Sequence, residues 1–224
     1  MASFTRAEQR ITKNIRIDNV VKGSSALVLF SGGMDSAVAL YLALRKFDLK
    51  VSVVDCPHQG QTKFEAKAID DVSKHLRLKH YSIEYPQVKI ASKTENKETV
   101  YLGETNLLYY ALAGNLAFKI GSKYIIGGTI KYDWYGRGAP QASPRHFRML
   151  NRLLKREYGR ETPTIITPLL YLDKREVAVL GHSLGVPFDM TRSCPKDTPT
   201  PCGKCSYCVK RSDALLYLNK LLRS

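Results

Sequence analysis

The sequence predicts an α/β protein built on a doubly wound parallel sheet, with a small C-terminal lobe. Short apolar runs of strand length alternate along the chain with longer segments of helical pattern, and this alternation is typical of right-handed β–α–β crossovers. The apolar run at residues 26–30 also leads through two glycines into an apolar helix pattern. Together these observations favour parallel strands over hairpins.

The predicted elements follow one another in a regular order. Residues 51–54 are rich in Val, which favours a strand, and residues 105–120 carry leucines and alanines at helical spacing. By the same criteria the predicted strands cover residues 26–30, 51–54, 79–84 and 124–128, and a strand or extended stretch covers residues 164–169. The predicted helices cover residues 35–46, 61–77, 105–120, 144–157, 173–184 and 206–222.

The junction between the first strand and the first helix has the composition of an anion site. Residues 30–36, called the glycine loop below, read Phe-Ser-Gly-Gly-Met-Asp-Ser. The two glycines let backbone amides point at a phosphate, and the helix adds unpaired N–H groups and its dipole. Ser31 and Ser36 can donate hydroxyl hydrogen bonds, and Asp35 supplies a carboxylate of the kind that binds Mg²⁺. No Gly-Lys-Ser/Thr follows, which excludes the loop of kinases and GTPases; an ordinary glycine turn is the alternative.

Ligands of open parallel sheets bind at the carboxyl ends of the strands. The glycine loop, residues 55–61 and residues 127–133 are therefore predicted to surround one cleft. The residues predicted to bind nucleotide are Phe30, Ser31, Gly32, Gly33, Met34, Asp35, Ser36, Asp55 and Gly127. The residues predicted to take part in catalysis are Ser31, Asp35, Ser36, Lys131 and Asp133.

Four of the five cysteines form a C-x7-C-x2-C-x2-C pattern, and the predicted metal ligands are Cys194, Cys202, Cys205 and Cys208. Four thiolates in a segment rich in Pro and Gly can close a tetrahedral zinc site. An iron–sulfur cluster is an alternative because ferredoxin-like runs use similar spacing, and two disulfides are another, which a reducing compartment disfavours. Cys56, just past a predicted buried strand, is expected to be a packing or pocket residue.

The composition leaves the partner open. The 224 residues include 35 Lys and Arg against 20 Asp and Glu, a formal net charge of +15, which attracts anions such as ATP, an anionic small molecule, tRNA or an acidic protein. One cluster of basic residues comprises Arg145, Arg148, Arg152, Lys155, Arg156 and Arg160. Neither a signal peptide nor an apolar stretch long enough for a membrane is visible, so we expect a cytoplasmic protein without a membrane partner.

We expect the chain to divide into a basic N-terminal arm at residues 1–24, an ATP-binding domain at residues 25–185, and a cysteine-containing lobe at residues 186–224. Because isoleucines 11, 15 and 17 alternate only partly, the arm is either an interaction arm or an extra edge strand. Residues 86–103 hold several charges and few apolar side chains, and we expect a mobile segment over the cleft.

Five segments carry a family resemblance. The glycine loop, with its SGGxDS sequence, resembles the PP-loop of the ATP pyrophosphatase superfamily. Behind it follow in order Asn106-Leu107-Leu108, Gly127-Gly128 with Asp133, Thr167-Pro168-Leu169 with Asp173-Lys174-Arg175-Glu176, and the cysteine pattern with Arg211. Together they resemble the 7-cyano-7-deazaguanine synthase family over nearly the whole chain from about residue 25.

The resemblance implies a fold of the adenine nucleotide alpha-hydrolase (HUP) type, a ligase that forms carbon–nitrogen bonds, and a requirement for ATP, Mg²⁺ and Zn²⁺. In that family ATP activates 7-carboxy-7-deazaguanine as an acyl-adenylate, ammonia gives the amide, and a second adenylation gives the nitrile used in queuosine biosynthesis. The zinc would be structural, because four cysteines leave no open coordination position. The implied partners are a deazapurine acid, ammonia or another amine, and a second copy of the chain in a homodimer.

Three segments depart from the family pattern. Thr105-Asn106 replaces Arg-Asn, residues 138–142 replace a Tyr-Pro-Asp-Cys stretch, and residues 58–61 only loosely match Tyr-Gly-Gln-Arg-His. We therefore expect ATP activation to be retained and recognition of the acid or the amine to have changed, with Lys131 or Arg137 replacing the missing guanidinium. The alternatives are a protein or nucleic-acid amine as acceptor, a tRNA-modifying enzyme of the thiolation or lysidine type, and a non-catalytic protein with a degenerate nucleotide site.

Overall fold

The computed structural model of the chain describes residues 2–15, 20–56, 61–84, 89–91, 99–101, 106–136 and 138–224. Its main sheet has five parallel strands in the order β3-β2-β1-β6-β7. These strands are β1 (Ser25–Leu29), β2 (Lys50–Asp55), β3 (Lys79–Ser82), β6 (Tyr124–Ile126) and β7 (Thr164–Ile166). A separate antiparallel pair consists of β4 (Lys89–Ala91) and β5 (Thr99–Tyr101). The strand order turns back at β1, which confirms the predicted doubly wound sheet and puts its switch point between β1 and β6.

Helices cover both faces of the sheet. Their bounds are α1 (Ala2–Lys13), α2 (Met34–Arg45), α3 (Lys63–His75), α4 (Asn106–Lys119), α5 (Pro144–Tyr158), α6 (Lys174–Ser183) and α7 (Ser206–Arg223). Side chains of β1 alternate between the faces: Val28 packs in one core with α2, α3 and α6, whereas Leu27 packs in the other with α4 and α5. This period of two fixes the register, because a one-residue slip would exchange the two faces.

The N-terminal segment is a helix, and the edge-strand alternative was wrong. Helix α1 contacts α6 and α7, and Ile11 is 1% exposed within the same core as α2. Phe4 and Ala7 pack against that core as well, and their spacing to Ile11 is that of one helical face. The partial alternation of isoleucines was therefore a weaker signal than this helical period.

Helix α7 shares a core with the domain that precedes it. Ala214 and Leu218 are buried in the cluster that contains α2 and α6, so the C-terminal segment packs directly on the sheet domain. The boundaries at residues 24 and 185 stay predictions. Of the segment at residues 86–103, the structure describes only β4 and β5, and the expected mobility of the remainder lies outside the described residues.

Two helices that border the cleft begin with capping boxes. At α6, Asp173 Oδ1 accepts the Glu176 N–H at 2.9 Å, while Glu176 Oε2 accepts the Asp173 N–H at 2.9 Å. Thr62 and Glu65 make the same pair of bonds at α3. Each cap contributes about 1 kcal/mol and fixes where the first turn of its helix lies. Among the residues described above, no helix is both long and apolar enough to cross a bilayer.

Candidate active site and metal centre

A cavity of about 830 Å³ opens at the carboxyl ends of β1, β2 and β6. Its lining includes most of the glycine loop, Asp55, Gln61 and the segment from Gly127 to Asp133 apart from Lys131. The three segments predicted to form one cleft therefore do meet, although residues 57–60 lie outside the part of the chain that the structure describes. The wall opposite the sheet comes from the first turns of α6 and α7.

The glycine loop is held in one conformation by its own serines. Ser36 Oγ accepts the Ser31 N–H at 3.3 Å and donates to the Gly33 carbonyl at 3.1 Å, and the Ser31 and Ser36 hydroxyls are 3.0 Å apart. Gly32 has a φ of +72°, a backbone conformation that side chains resist. The loop is thus preorganised at the start of α2, where the helix dipole favours an anion.

Two further glycines, just past β6, allow close packing beside the glycine loop. A Cβ on Gly128 would lie 2.7 Å from the backbone nitrogen of Ser36, and a Cβ on Gly127 would overlap the Tyr110 hydroxyl. No side chain fits between β6 and the start of α2. Gly127, predicted to bind nucleotide, lines the cavity, and the structure adds that its lack of a side chain is required by packing.

The carboxylate of Asp35 faces a lysine that the predicted site residues did not include. Lys174 Nζ, in the first turn of α6, lies 2.7 Å from Asp35 Oδ1 and 2.6 Å from Oδ2, and both side chains are largely buried. The α6 capping box places Lys174 at this point. Its sequence signal was a position in the first turn of a helix that starts at the binding edge of the sheet.

Asp55 is the second carboxylate at the end of a strand. It is 8% exposed, and its Oδ1 lies 2.8 Å from His80 Nε2 on the neighbouring strand β3. Burial, followed by the charge of Asp55, raises the pKa of the adjacent Cys56 to about 12. Cys56 lines the cavity, yet its thiol stays protonated at neutral pH and is a poor nucleophile.

The four predicted metal ligands come together. Their sulfur atoms all lie within 4.8 Å of one another, and those of Cys202 and Cys208 are 4.0 Å apart. In a tetrahedral zinc site with Zn–S bonds of about 2.3 Å the sulfurs are about 3.8 Å apart, so the spacing suits a single ion. A cluster with several irons between the ligands would need a wider separation. The four thiols form no disulfide, so this site can hold a metal such as zinc.

Backbone groups and burial act in opposite directions on these thiols. Backbone N–H groups of Cys205 and Lys204 lower the pKa of Cys202 to about 6, whereas burial raises the pKa of Cys208 to about 12. Cys202 is therefore available as a thiolate at neutral pH, whereas Cys208 loses its proton only when a metal cation binds in its place.

Two arginines, the buried Arg192 and the half-buried Arg211, shape the segment that carries the cysteines. The Arg192 guanidinium donates to the carbonyl oxygens of Cys194, Lys196, Thr198 and Pro199, and its backbone N–H donates to the Gly32 carbonyl at 2.8 Å. Arg211, one turn into α7, donates to the Thr191 hydroxyl at 2.7 Å and to the Phe188 carbonyl. Burial lowers the pKa of Arg211, and the charge of Asp35 partly offsets this. The segment that carries the cysteines is thus joined to the glycine loop by the backbone hydrogen bond from Arg192 to Gly32.

Comparison with known proteins decides the family. Residues 25–219 match the family described as "Queuosine biosynthesis protein QueC". The chain belongs to the QueC family. It is 29% identical over 216 residues to the 7-cyano-7-deazaguanine synthase of Aquifex aeolicus (strain VF5), a match that covers 87% of this chain and 97% of that protein. It is 28% identical over 205 residues to the synthase of Thermoplasma acidophilum (strain ATCC 25905 / DSM 1728 / JCM 9062 / NBRC 15155 / AMRC-C165), which covers 83% of this chain and 85% of that protein.

Solved structures confirm the PP-loop fold of this QueC-family protein. It is similar to the U34-tRNA thiolase NcsA from Methanococcus maripaludis, with a TM-score of 0.56 at 15% identity over 99% of this chain and 79% of that one. It is also similar to the NMN synthetase from Francisella tularensis, with a TM-score of 0.54 at 18% identity over 97% and 92% of the two chains. At these identities the likeness shows the fold alone. Family membership supports an ATP-dependent enzyme of deazapurine chemistry.

Lys131 and Asp133, the two predicted catalytic residues past β6, differ in position. Asp133 lines the cavity and its Oδ2 accepts the Ile130 N–H at 3.0 Å. Lys131 is exposed, does not line the cavity, and lies with its Nζ 5.5 Å from the centre of the Tyr135 ring. Its catalytic role stays a prediction that this position does not favour. Arg137, the other expected replacement for the missing guanidinium, falls outside the described residues.

Proposed function

We propose that this QueC-family protein is a carbon–nitrogen ligase that adenylates 7-carboxy-7-deazaguanine, or a close deazapurine acid, and passes the activated carbonyl to ammonia or another amine. The carboxylate oxygen attacks the α-phosphate of ATP and pyrophosphate leaves. The amine then attacks the carbonyl and AMP leaves, which gives the amide. A second adenylation, on the amide oxygen, allows loss of AMP and two protons to give the nitrile.

The observation that carries this proposal is the preorganised glycine loop at the wall of an 830 Å³ cavity. Backbone N–H groups fixed in advance stabilise developing charge without reorganisation during the reaction. Ser31 and Ser36 would turn their hydroxyls from each other to the pyrophosphate. The cavity is large enough for a ligand of nucleotide size, since ordinary ligand sites measure about 300–1,000 Å³.

Asp35 and Lys174 have complementary roles in this proposal. Mg²⁺ is bound in proteins by one or two carboxylates together with substrate phosphates, and when bound it would neutralise charge on the pyrophosphate. Asp35 suits this need because it lies in the first turn of α2, within the glycine loop, while Lys174 holds the carboxylate in position.

The metal centre would be structural. All four ligand positions are taken by cysteines, so zinc when bound would supply folding energy rather than an activated water. The chain's own contribution is to hold the first turn of α7 against the cavity through Cys205, Cys208 and Arg211.

One observation favours a macromolecular amine as a second candidate acceptor. The six clustered basic residues of α5 and the turn after it are all exposed, and none forms an ion pair with a residue that the structure describes. Asn106 lines the cavity and donates to the Gln141 carbonyl at 2.8 Å just before α5 begins. The turn that precedes this basic helix therefore contacts a residue of the cavity wall. A thiolation reaction is disfavoured, because four cysteines are grouped as ligands and Cys56 has a raised pKa.

The test is mass spectrometry of the purified protein with ATP, Mg²⁺, 7-carboxy-7-deazaguanine and ammonium. Acid-dependent AMP and pyrophosphate, together with the amide and nitrile, are expected, and the Asp35→Ala variant should form none of them. The absence of any acid-dependent AMP would contradict the proposed substrate. AMP formation in which the adenylate accumulates despite ammonium, and a mass increase on added tRNA or protein instead, would support the macromolecular acceptor.

A further inference from the structure

The described wall of the cavity carries six acidic residues and four basic ones. The acidic residues are Asp35, Asp55, Glu65, Asp133, Asp173 and Asp213. The basic residues are Lys174, Arg175, Arg192 and Lys210. An anionic substrate that enters such a cavity needs a cation that is not already neutralised, so the partners of the four basic side chains decide where it can bind.

Three of the four cations are engaged with oxygen atoms of the chain. Lys174 binds both oxygens of Asp35, and Arg175 makes a bidentate pair with Asp213 at 2.8 and 2.9 Å. Arg192 uses its guanidinium on the carbonyl oxygens of the cysteine segment. Each of these side chains already has the partner that a carboxylate ligand would supply.

Lys210 differs from the other three. Within the described ranges of the chain no carboxylate lies within 4.0 Å of its Nζ, which is instead 3.4 Å from the centre of the Tyr132 ring. A cation–π contact fixes the ammonium but does not neutralise it. The ring covers one side of the ammonium and leaves N–H donors for an oxygen acceptor.

Lys210 is held at the cavity by structured elements on two sides. It lies in the second turn of α7, between the predicted metal ligand Cys208 and the half-buried Arg211. Tyr132 comes from the opposite side, at the start of the π-helical turn Tyr132–Gly136; such turns are frequent at functional sites. Tyr132 also lines the cavity and is 37% exposed. An aromatic ring and an unneutralised ammonium therefore lie together at one edge of the cavity.

We infer that Lys210 binds the carboxylate of the acid substrate and that the Tyr132 ring packs against its heterocycle. This rests on the proposed function and names the part of the site that selects an acid. A planar heteroaromatic acid matches the pair, because the exposed edge of the ring can make an edge-to-face contact, and the ammonium that covers one face of the ring offers a charge-assisted hydrogen bond. The Lys210 ammonium also reduces the repulsion between the substrate carboxylate and the triphosphate of ATP, which the carboxylate must approach.

The test compares equilibrium binding of 7-carboxy-7-deazaguanine and of its neutral carboxamide by calorimetry, without ATP. Wild-type protein is expected to prefer the acid. Lys210→Met should lower the affinity for the acid about ten- to a hundred-fold, the range for a lost charge-assisted hydrogen bond, and change the affinity for the carboxamide less than about two-fold. Lys210→Arg should retain most of the preference. In turnover, the KM for the acid should rise while the KM for ATP stays unchanged.

Lys220→Met is the matched control, since Lys220 is exposed farther along the same helix and should behave as wild type. Thermal unfolding and metal content show whether a variant has lost its fold. If Lys210→Met has done so, Tyr132→Ala provides a second test, and it should weaken the binding of both ligands. Unchanged acid preference in Lys210→Met, or a loss confined to ATP and pyrophosphate, overturns the inference alone. A wild-type protein that binds neither compound overturns the proposed substrate, and the inference with it.

Discussion

The glycine loop and the cysteine segment lie side by side and are built by opposite means. In the first, side chains are absent: Gly32, Gly127 and Gly128 allow close packing, and three hydrogen bonds of the two serines complete the loop. In the second, long side chains hold the structure together. The Arg192 guanidinium donates to backbone carbonyls, the Arg211 guanidinium donates to the Thr191 hydroxyl, and the four thiols lie close together. The difference teaches that the first region excludes added atoms at Gly32, Gly127 and Gly128, whereas the second depends on atoms that must not be removed.

The largest expected effect comes from adding atoms beside the glycine loop. Gly128→Val should lower acid-dependent pyrophosphate release by about 100-fold or more, because the new Cβ meets the Ser36 backbone at 2.7 Å and displacement of about 1 Å can cost that much. Thermal unfolding should also show a loss of about 1–3 kcal/mol from overpacking. Gly121→Asn is the control, since nothing lies within 4 Å of its Cβ position and Asn tolerates its positive φ. Near-normal turnover of Gly128→Val would show that the close packing is not required.

Removing atoms from the cysteine segment should have the next largest effect. Arg192→Met leaves several carbonyl oxygens without their donor and should lower the free energy of unfolding by about 2–4 kcal/mol. Denaturant titration measures the loss, and Arg148→Met on the exposed face of α5 serves as the control. If Arg192→Met keeps wild-type stability and metal content, the guanidinium is not what shapes the segment.

A change at the contact between Asp35 of the glycine loop and Lys174 of α6 should have a smaller effect. Lys174→Met removes the partner of Asp35 and should reduce turnover about ten- to a hundred-fold, the value of one charge-assisted hydrogen bond, with Lys174→Arg restoring part of it. Steady-state kinetics with saturating acid provide the measurement. Lys50→Met, at the amino end of β2, should have no effect; an equal loss there would point to net charge rather than position.

The smallest effect distinguishes the cavity cysteine Cys56 from the predicted metal ligand Cys202. Because burial and Asp55 raise the pKa of Cys56 to about 12, only about one molecule in 10⁴ carries the thiolate at pH 8, and alkylation should accelerate about tenfold per pH unit above that. After chelation at pH 8, iodoacetamide should modify Cys202, whose pKa is lowered to about 6, much faster than Cys56, as peptide mass spectrometry would show. Rapid modification of Cys56 would contradict the direction of its pKa.

The same contrast explains what the sequence could predict. The glycine loop and the cysteine pattern are contiguous motifs, so both were recognisable, and the alternation of apolar runs predicted the order of strands and helices. Lys174 lies in one of the segments that carry the family resemblance, but its pairing with Asp35 was missed because that contact spans 139 residues. Arg192 and Lys210 were missed for a related reason: their importance comes from which carbonyls and rings surround them. The strand or extended stretch predicted at residues 164–169 ends as a strand at Ile166, since Pro168 has no N–H to continue the ladder.

The bond from the Arg192 N–H to the Gly32 carbonyl has a consequence in linkage thermodynamics. If the metal holds the cysteine segment in place and the segment holds the loop, the factor by which metal strengthens phosphate binding equals the factor by which phosphate strengthens metal binding. Saturating pyrophosphate should therefore slow the stripping of metal by a chelator. The rate of metal release would then report occupancy of the glycine loop without turnover and without knowledge of the acid.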